Sequence, residues 1–306
     1  MAGVTSSITC AVKQFIGASN RTAMLVNQLT SKSIMFFLER CKRIGIPDDE
    51  LETIYAIAQT SVKYYTGSST VRVQMREWQV LERTWYQSLA DGNPWYKIYG
   101  AKYYIADLWA CWVVYSRKYL KSLYDCKALG DHSIVQDLSL VTSVADLGCG
   151  VGITTAALAQ MFPKASCNIY GTNLLGTQQA DFCLSMSKEY NFNLQQDVAL
   201  IGRKCDLVFA SEYFEHFYKP IEHLQYIIAN LDPDYLITAN AFGTKSIGHF
   251  DCYMVEGRLL DAKQTARAFS NAMHMHGYNK VKTRLWNNRP AYWRKPAVHR
   301  GNTDNG

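Results

Sequence analysis

Residues 144–155 read Val-Ala-Asp-Leu-Gly-Cys-Gly-Val-Gly-Ile-Thr-Thr, and this stretch decides the fold. Its first four residues predict a buried strand that ends at a turn, because apolar side chains flank Asp146. Gly148, Gly150 and Gly152 follow at alternate positions, where the missing Cβ lets the backbone turn sharply and approach a ligand. The next residues predict a helix, whose N-terminal N–H groups would face an anionic group. The stretch therefore predicts a strand, a ligand-binding turn and a helix.

The pattern Asp-x-Gly-x-Gly-x-Gly at a strand end resembles the nucleotide-binding motif of the class I methyltransferases, which hold S-adenosyl-L-methionine. Dinucleotide-binding folds normally carry their acidic residue at the end of the next strand, not just before the glycines. The resemblance implies S-adenosylmethionine as the cofactor and methyl transfer as the activity. A generic glycine turn between a strand and a helix is the alternative interpretation.

The chain divides into two regions with different patterns. Up to residue 139 the apolar spacing predicts helices, and from residue 140 strands alternate with helices, which is typical of a doubly wound parallel sheet. Seven strands are predicted, at 143–147, 166–171, 193–196, 206–210, 235–239, 280–285 and 291–295. We therefore predict an α/β fold with a seven-stranded, mostly parallel sheet. The expected domains are a helical N-terminal cap at 1–139, a cofactor-binding domain at 140–297 and a flexible tail at 298–306.

Composition and cysteine content narrow the class of protein. The chain has 306 residues, of which 48% are hydrophobic and 19% charged, as is usual for a globular protein. No run approaches the roughly 18 apolar residues of a membrane helix, and the N-terminus lacks the layout of a secretory signal. The nine cysteines form no Cys-x-x-Cys pair and no zinc-like cluster with histidine. We therefore predict a cytoplasmic protein with reduced thiols, no membrane partner and no metal site.

The glycine loop is the first part of the expected cofactor site. In class I methyltransferases the ligand lies at the carboxyl ends of the strands, as in any open α/β sheet. By this resemblance residues 148–152, including Cys149, would pass close to the methionine end of the cofactor, with Asp146 near its ammonium group. Thr154, at the start of the next helix, would cap that helix or contact the carboxylate.

The ribose and adenine contacts are expected from the next two strand ends. Asn173, followed by Leu174, stands where the family usually has Asp or Glu, which accepts both ribose hydroxyls. An amide can accept one hydroxyl proton and donate to the other oxygen, but it lacks the charge that strengthens such bonds. Asp197 and Val198 resemble the acidic and apolar pair at the adenine edge, where Asp197 would accept from the amino group. A surface turn is the alternative interpretation of Asp197.

The segment after the fourth strand reads Ser-Glu-Tyr-Phe-Glu-His from Ser211 onward, and resembles the Glu-His segment of many methyltransferases that act on small molecules. Ser211 is expected beside the cofactor, and Glu212 and His216 are expected to be catalytic. If the segment is helical, these two residues share one side, because they are four apart. His216 is a candidate general base; alternatively, Glu215 and His216 brace the loop or contact the cofactor. His249 is a second candidate for acceptor contact, with a structural role as its alternative.

Three functions remain open. The leading hypothesis is transfer of a methyl group to an oxygen or nitrogen of a small molecule. Base N-methylation of DNA is disfavoured because no Pro-Pro-Tyr or Pro-Pro-Phe is present, and cytosine C5-methylation because no Pro-Cys is present. The second hypothesis is a nucleic-acid or modified-nucleotide acceptor, because residues 280–300 hold seven cations, no acidic residue, and Trp286, Tyr292 and Trp293. Two strands with solvated cations are the alternative there. The third hypothesis is a non-catalytic cofactor-binding protein.

Overall fold

The N-terminal region of the chain is helical. The computed structural model describes residues 22–66, 76–124, 138–165, 168–283 and 290–296. The first four helices are α1 (Thr22–Arg43), α2 (Asp48–Tyr65), α3 (Arg76–Ala90) and α4 (Lys102–Tyr124). The helices predicted from apolar spacing are confirmed over these residues. The tail expected at 298–306 lies outside the described residues.

Nine strands follow in the described residues, and seven of them form one sheet, which confirms the predicted α/β fold. The strands are β1 (Val144–Leu147), β2 (Ile169–Thr172), β3 (Asn193–Gln195), β4 (Leu207–Ser211), β5 (Tyr235–Ala239), β6 (Cys252–Val255), β7 (Arg258–Asp261), β8 (Asn279–Val281) and β9 (Ala291–Arg294). The large sheet has the order β3-β2-β1-β4-β5-β9-β8. Its first five strands are parallel, and β9 is antiparallel to both β5 and β8. Helices α5 (Ile153–Met161), α6 (Gln178–Tyr190), α7 (Pro220–Leu231) and α8 (Ala262–Met275) complete the fold.

Local sequence explains where these elements begin and end. Strands β1 and β4 are buried along their whole length, as expected for central strands covered on both faces. Helix α6 starts at Thr177, whose hydroxyl accepts a hydrogen bond from the Ala180 N–H. Helix α8 starts with a capping box between Asp261 and Gln264, which satisfies two of the free N–H groups at its N-terminus.

The hairpin formed by β6 and β7 was not predicted. The two strands form a separate antiparallel sheet, joined by Glu256 and Gly257 with φ angles of +49° and +75°. Two successive residues with positive φ are typical of the turns that match the twist of a hairpin. The residue pair ending in glycine was the available signal, but the strands on either side are only four residues long.

Helices cover both faces of the sheet, and the N-terminal helices take part on each side. On one face α1, α2 and α4 share a buried core with α5, α6 and the sheet. There Phe37 stacks on Trp109 with ring centroids 4.6 Å apart and lies 5.6 Å from Phe182 of α6. On the other face Trp85 of α3 packs with α7, α8 and the β6–β7 hairpin. Among the described helices, none has the length and apolar character needed to cross a membrane.

Candidate functional site

The order of the strands brings the expected cofactor residues to one edge. Strands β3, β2, β1 and β4 are adjacent and parallel, so their carboxyl ends lie side by side. Gly148 follows β1, Asn173 follows β2, and Asp197 lies two residues after β3. We call the ends of β1, β2 and β3, with the residues that follow them, the cofactor edge. Ligands of open α/β sheets bind at such an edge, beside the point where the strand order reverses.

The glycine loop requires glycine by backbone conformation. Gly148, Gly150 and Gly152 have φ angles of +63°, +55° and +81°, in the left-handed region that disfavours a Cβ. All three glycines also lie close to other side chains, and a Cβ on Gly152 would lie 2.9 Å from Cys183 Sγ. A Cβ on Gly148 would lie 2.6 Å from the Tyr213 ring, and one on Gly150 would lie 3.1 Å from Leu108 of α4. Glycine is therefore required in this loop both by the positive φ angles and by the side chains that lie against it.

Asp146 links β1 to α5 inside the protein. Its carboxylate accepts a hydrogen bond of 2.6 Å from the Thr155 hydroxyl, and the residue is buried. Burial raises the pKa of Asp146 to about 7, although the bond from Thr155 acts in the opposite direction. Gly152 is the N-cap residue of α5, so Thr154 lies inside the first turn, where it is buried. The observed role of the carboxylate is to hold the loop between strand and helix.

Cys149 faces the interior. Its N–H donates to the Thr172 carbonyl at 2.9 Å, and its Sγ lies 3.4 Å from that of Cys183 on α6. The interaction with the Cys183 thiol and burial raise the pKa of Cys149 well above its ordinary value. Cys149 therefore contributes its backbone to the loop, while its side chain packs against α6.

Asn173 is bonded to the glycine loop. Its amide Nδ2 donates to the Gly150 carbonyl at 2.6 Å, and its Oδ1 accepts from the Leu174 N–H at 2.9 Å and from Gln179 at 3.0 Å. A carboxylate at this position has no proton to donate to the Gly150 carbonyl. These bonds give a physical reason for an amide where the methyltransferase resemblance leads one to expect an acid. Leu174 is half exposed at the same edge.

Asp197 and Val198 lie at the outer end of the cofactor edge. Asp197 Oδ1 accepts from the Ala199 N–H at 2.8 Å and from the Tyr226 hydroxyl at 2.5 Å. The carboxylate is half buried and Val198 is 3% exposed. An acceptor next to an apolar wall suits the edge of a planar, amine-bearing ring. Both residues follow the end of β3, and the bonds of Asp197 are those of a turn aspartate, the alternative interpretation. Their contact with a ligand stays a prediction.

The segment after β4 is not helical throughout, so the expected shared helix face of Glu212 and His216 is not formed. Glu212 has a φ of +50°, and only Phe214–His216 form a 3-10 turn. Instead, carboxylate oxygens of Glu212 and Glu215 and a ring nitrogen of His249 all lie within 4.8 Å of one another. Ser211, the last residue of β4, is buried, and its hydroxyl has no hydrogen-bond partner in the described part of the chain.

His216 lies beside these groups. Its Nδ1 is 2.8 Å from the Tyr99 hydroxyl, and its ring centroid is 4.7 Å from that of His249. Burial, and secondarily the neighbouring His249, lower the pKa of His216 to about 3. His216 is therefore neutral at physiological pH. We call Glu212, Glu215, His216, His249 and Tyr99 the acceptor end.

The strand order and the loop after β1 decide the fold. Five parallel strands in the order 3-2-1-4-5 are followed by an antiparallel pair, with a glycine-rich turn between β1 and its helix. The chain has the class I methyltransferase fold.

Among known proteins, solved structures resemble this chain at low similarity. No protein-family model and no curated protein matches the sequence. The chain resembles magnesium protoporphyrin IX methyltransferase from Synechocystis, solved with bound S-adenosylmethionine, at 16% identity over 74% of this chain and 100% of that chain, with a TM-score of 0.39. It also resembles fibrillarin, a pre-rRNA processing protein of Methanococcus jannaschii, at 13% identity over 58% of this chain and 74% of that chain, with a TM-score of 0.40. Because these values are low, the fold assignment rests on the strand order of this chain.

The sequence did not predict that the N-terminal region contacts the glycine loop and the acceptor end. Leu108 lies against Gly150, Tyr99 contacts His216, and the Trp85 indole donates to the His249 carbonyl at 2.8 Å. Tyr213, which covers Gly148, was also missed. These contacts join residues that are dozens to more than a hundred positions apart, so spacing in the sequence carries no signal for them.

Proposed function

We propose that the protein is an S-adenosylmethionine-dependent methyltransferase that methylates an oxygen or nitrogen of a small molecule. The observation that carries the proposal is the cofactor edge, where three adjacent strand ends offer a positive-φ glycine loop, Asn173 and the Asp197–Val198 pair. When bound, S-adenosylmethionine supplies a methyl group on a positively charged sulfur.

The residues of the cofactor edge fit this cofactor by chemistry. In the proposed arrangement the loop at 148–152 approaches the methionine end with its backbone, Asn173 and Leu174 lie at the ribose, and Asp197 accepts from the adenine amino group. The Tyr213 ring lies against Gly148 and its hydroxyl is 2.8 Å from His223 Nε2. This ring has to turn away before a ligand contacts Gly148, so we propose that Tyr213 gates the loop.

The acceptor end supports a small acceptor. Tyr99 reaches it from the helical N-terminal region, for which we propose the role of a cap with a boundary near residue 139. A cap that encloses the reacting groups excludes water and positions the acceptor for in-line attack. In this arrangement neutral His216 orients the acceptor together with Tyr99, with Glu212 beside it. Because burial lowers the pKa of His216 to about 3, the ring is too weak a base to be the main proton acceptor.

The described part of the basic segment gives less support to a nucleic-acid acceptor. Tyr292 and Trp293 are 1% and 2% exposed, so these rings do not offer faces for stacking of bases. Lys295 pairs with Asp232, and Lys280 lies over the Trp293 ring. Trp286 and three of the seven cations, Arg284, Arg289 and Arg300, lie outside the described residues. Steep salt dependence of acceptor binding would favour the nucleic-acid alternative.

Calorimetry with S-adenosylmethionine, followed by an assay for S-adenosylhomocysteine with candidate acceptors, tests the proposal. We expect one binding site per chain and product only when an acceptor is present. Binding without product from any acceptor would favour a non-catalytic binding protein. We also propose a cytoplasmic location, which the free thiols of the six described cysteines support.

A further inference from the structure

We propose that Glu212, Glu215 and His249 form a binding site for a divalent cation, of which Mn²⁺ is the best match. Among the residues that the structure describes, these three form the one group of three or more possible ligands within 4.8 Å of one another. Cation binding by the three side chains goes beyond the proposed methyltransferase function. Only its consequence for the acceptor, given below, rests on that function.

The fold brings the three ligands together from two loops. Glu212 and Glu215 follow β4, and His249 lies in the loop that follows β5. Strands β4 and β5 are parallel neighbours, so both loops leave the sheet at the same edge. The Glu212 N–H donates to the Ala239 carbonyl at 2.9 Å, and the Ala241 N–H donates to Glu215 Oε1 at 2.7 Å. These two bonds tie the glutamates to the end of β5 and so to the loop that carries His249.

His249 is held in the tautomer that a metal requires. Its Nδ1 is 2.7 Å from the Thr244 carbonyl, which only accepts, so Nδ1 carries the proton. Nε2 then keeps its lone pair. A backbone carbonyl that fixes the second ring nitrogen is the usual support of a metal-binding histidine. The residue is 5% exposed and the Trp85 indole holds its backbone carbonyl, so the ring is placed by its surroundings.

Glu215 provides the second, independent observation. The residue is fully buried, and its Oε2 has no hydrogen-bond partner among the described residues, although Oε1 accepts from Ala241. An unpaired carboxylate oxygen in the interior is costly unless a cation or a proton neutralises it. A second carboxylate, that of Glu212, lies beside it. A cation between the two neutralises both charges.

The backbone at Glu212 agrees with a ligand role. Its φ of +50° is unfavourable for a residue with a Cβ. Strain of this kind is concentrated at functional sites. Glu212 directly follows the central strand β4. The strained backbone therefore holds its carboxylate next to the position expected for the transferred methyl group.

The donor set selects the class of metal and of acceptor. Two carboxylates with one imidazole suit Mn²⁺ better than soft, thiolate-seeking metals, and three protein ligands leave positions for water or acceptor oxygen. A Lewis acid beside the cofactor orients an acceptor hydroxyl and favours loss of its proton. If the proposed methyltransferase function holds, the site therefore favours an acceptor with a hydroxyl group over one with an amine.

Titration of Mn²⁺ into the chelator-treated 306-residue chain, without S-adenosylmethionine, tests the site by calorimetry and by electron paramagnetic resonance. We expect one bound Mn²⁺ per chain and at least tenfold weaker binding in Glu212→Gln and Glu215→Gln. The control is Glu222→Gln on α7, an exposed glutamate paired with Lys219, which should bind Mn²⁺ as the parent does. Thermal unfolding of each variant identifies loss of folding, and Glu212→Gln, at the half-buried position, is the variant that keeps the test decisive.

Two outcomes would overturn the cation site. One is the absence of binding of Mn²⁺, Mg²⁺ and Zn²⁺ at millimolar concentration; the other is unchanged Mn²⁺ binding in folded Glu212→Gln and Glu215→Gln. Both would make the two glutamates a protonated pair that braces the loop. S-adenosylmethionine binding, measured separately on the same preparations, distinguishes this failure from failure of the proposed function.

Discussion

The cofactor edge and the acceptor end differ in how their buried carboxylates are satisfied. At the cofactor edge Asp146 is bonded to Thr155, and Asn173 makes three hydrogen bonds within the loop region. At the acceptor end Glu215 Oε2 has no hydrogen-bond partner in the described ranges, and neither has Oγ of Ser211, the residue before Glu212. At the cofactor edge Gln179 Oε1, an amide oxygen, also has none, so the difference concerns the carboxylates. In the first region the hydrogen bonds of Asp146 and Asn173 already fix the backbone of the glycine loop. The second region has buried polar atoms without a partner among the described residues, which a bound ligand can supply. Such unpaired buried atoms are rare in folded proteins, so they point to a ligand.

The two regions are also assembled differently. The residues of the cofactor edge lie within a few positions of their strand ends. The acceptor end combines the turn after β4, the loop after β5 and Tyr99 of the N-terminal region. Variants should therefore act on cofactor affinity at the first region and on pH dependence or acceptor chemistry at the second.

The largest expected effect comes from Gly148→Ala at the cofactor edge. The new Cβ would lie 2.6 Å from the Tyr213 ring and occupy the surface that a ligand approaches. We expect affinity for S-adenosylmethionine to fall by roughly 100-fold, by calorimetry, because close backbone approach is lost. Gly202→Ala is the matched control, since its φ is +65° and nothing lies within 4 Å of its new Cβ. Gly202→Ala should have the same backbone strain at positive φ but should bind S-adenosylmethionine as the parent does. Equal losses of affinity in both variants would show that backbone strain, and not the lost approach of the ligand, is the cause.

The pH dependence of stability tests the acceptor end. Burial lowers the pKa of His216 to about 3 and that of His223 to about 4, so both bind a proton more readily when the chain is unfolded. Between their folded values and about 6.5 the unfolded state holds more protons, so stability falls as pH falls through this range. Each histidine should contribute a loss of up to about 2 kcal/mol at pH 5 relative to pH 7, measured by chemical denaturation. Asp146, whose pKa is raised to about 7, acts in the opposite direction, so the effect of His216 is read as the difference between parent and variant. His216→Gln should remove its share; an unchanged pH profile in that variant would place His216 in solvent.

Asn173→Asp should weaken the cofactor edge. The substitution removes the donor to the Gly150 carbonyl, now 2.6 Å from Nδ2, and places a carboxylate oxygen near that carbonyl. We expect a loss of about 1–3 kcal/mol in the free energy of unfolding, as for a broken buried hydrogen bond. Asn279→Asp, at an exposed position on β8, is the control. Tighter cofactor binding with unchanged stability would contradict this account of the amide and show that a carboxylate at position 173 binds the ribose better.

The smallest expected effect is that of Tyr213→Phe. The variant loses the hydrogen bond of 2.8 Å to His223 that holds the ring against Gly148. Such a bond contributes about 0.5–1.5 kcal/mol, so the closed rotamer becomes less favoured and cofactor affinity should rise up to about tenfold. Tyr226→Phe, which removes the bond to Asp197, is the comparison and should not raise affinity. Weaker binding in Tyr213→Phe would show that the hydroxyl contacts the ligand.

The sequence was sufficient for the fold and for the position of the cofactor edge, because both depend on local patterns. Alternating strands and helices predict the parallel sheet, and glycines at 148, 150 and 152 predict the turn whose φ angles are positive. The partner of Asn173, the position of Tyr213 and the meeting of Glu212, Glu215 and His249 depend on tertiary contacts. A spacing of four between Glu212 and His216 suggested a helix, but the backbone turns at Glu212 and pairs that residue with Glu215 and His249 instead.

A crystal structure of the protein soaked with S-adenosylmethionine tests where the cofactor binds. We expect electron density along the carboxyl ends of β1, β2 and β3, with adenine at Asp197 and Val198 and the methyl group facing the acceptor end. We also expect the Tyr213 ring to have turned away from Gly148. Density for the cofactor at another surface, or a Tyr213 ring still against Gly148 in a protein that binds the cofactor in solution, would contradict this placement.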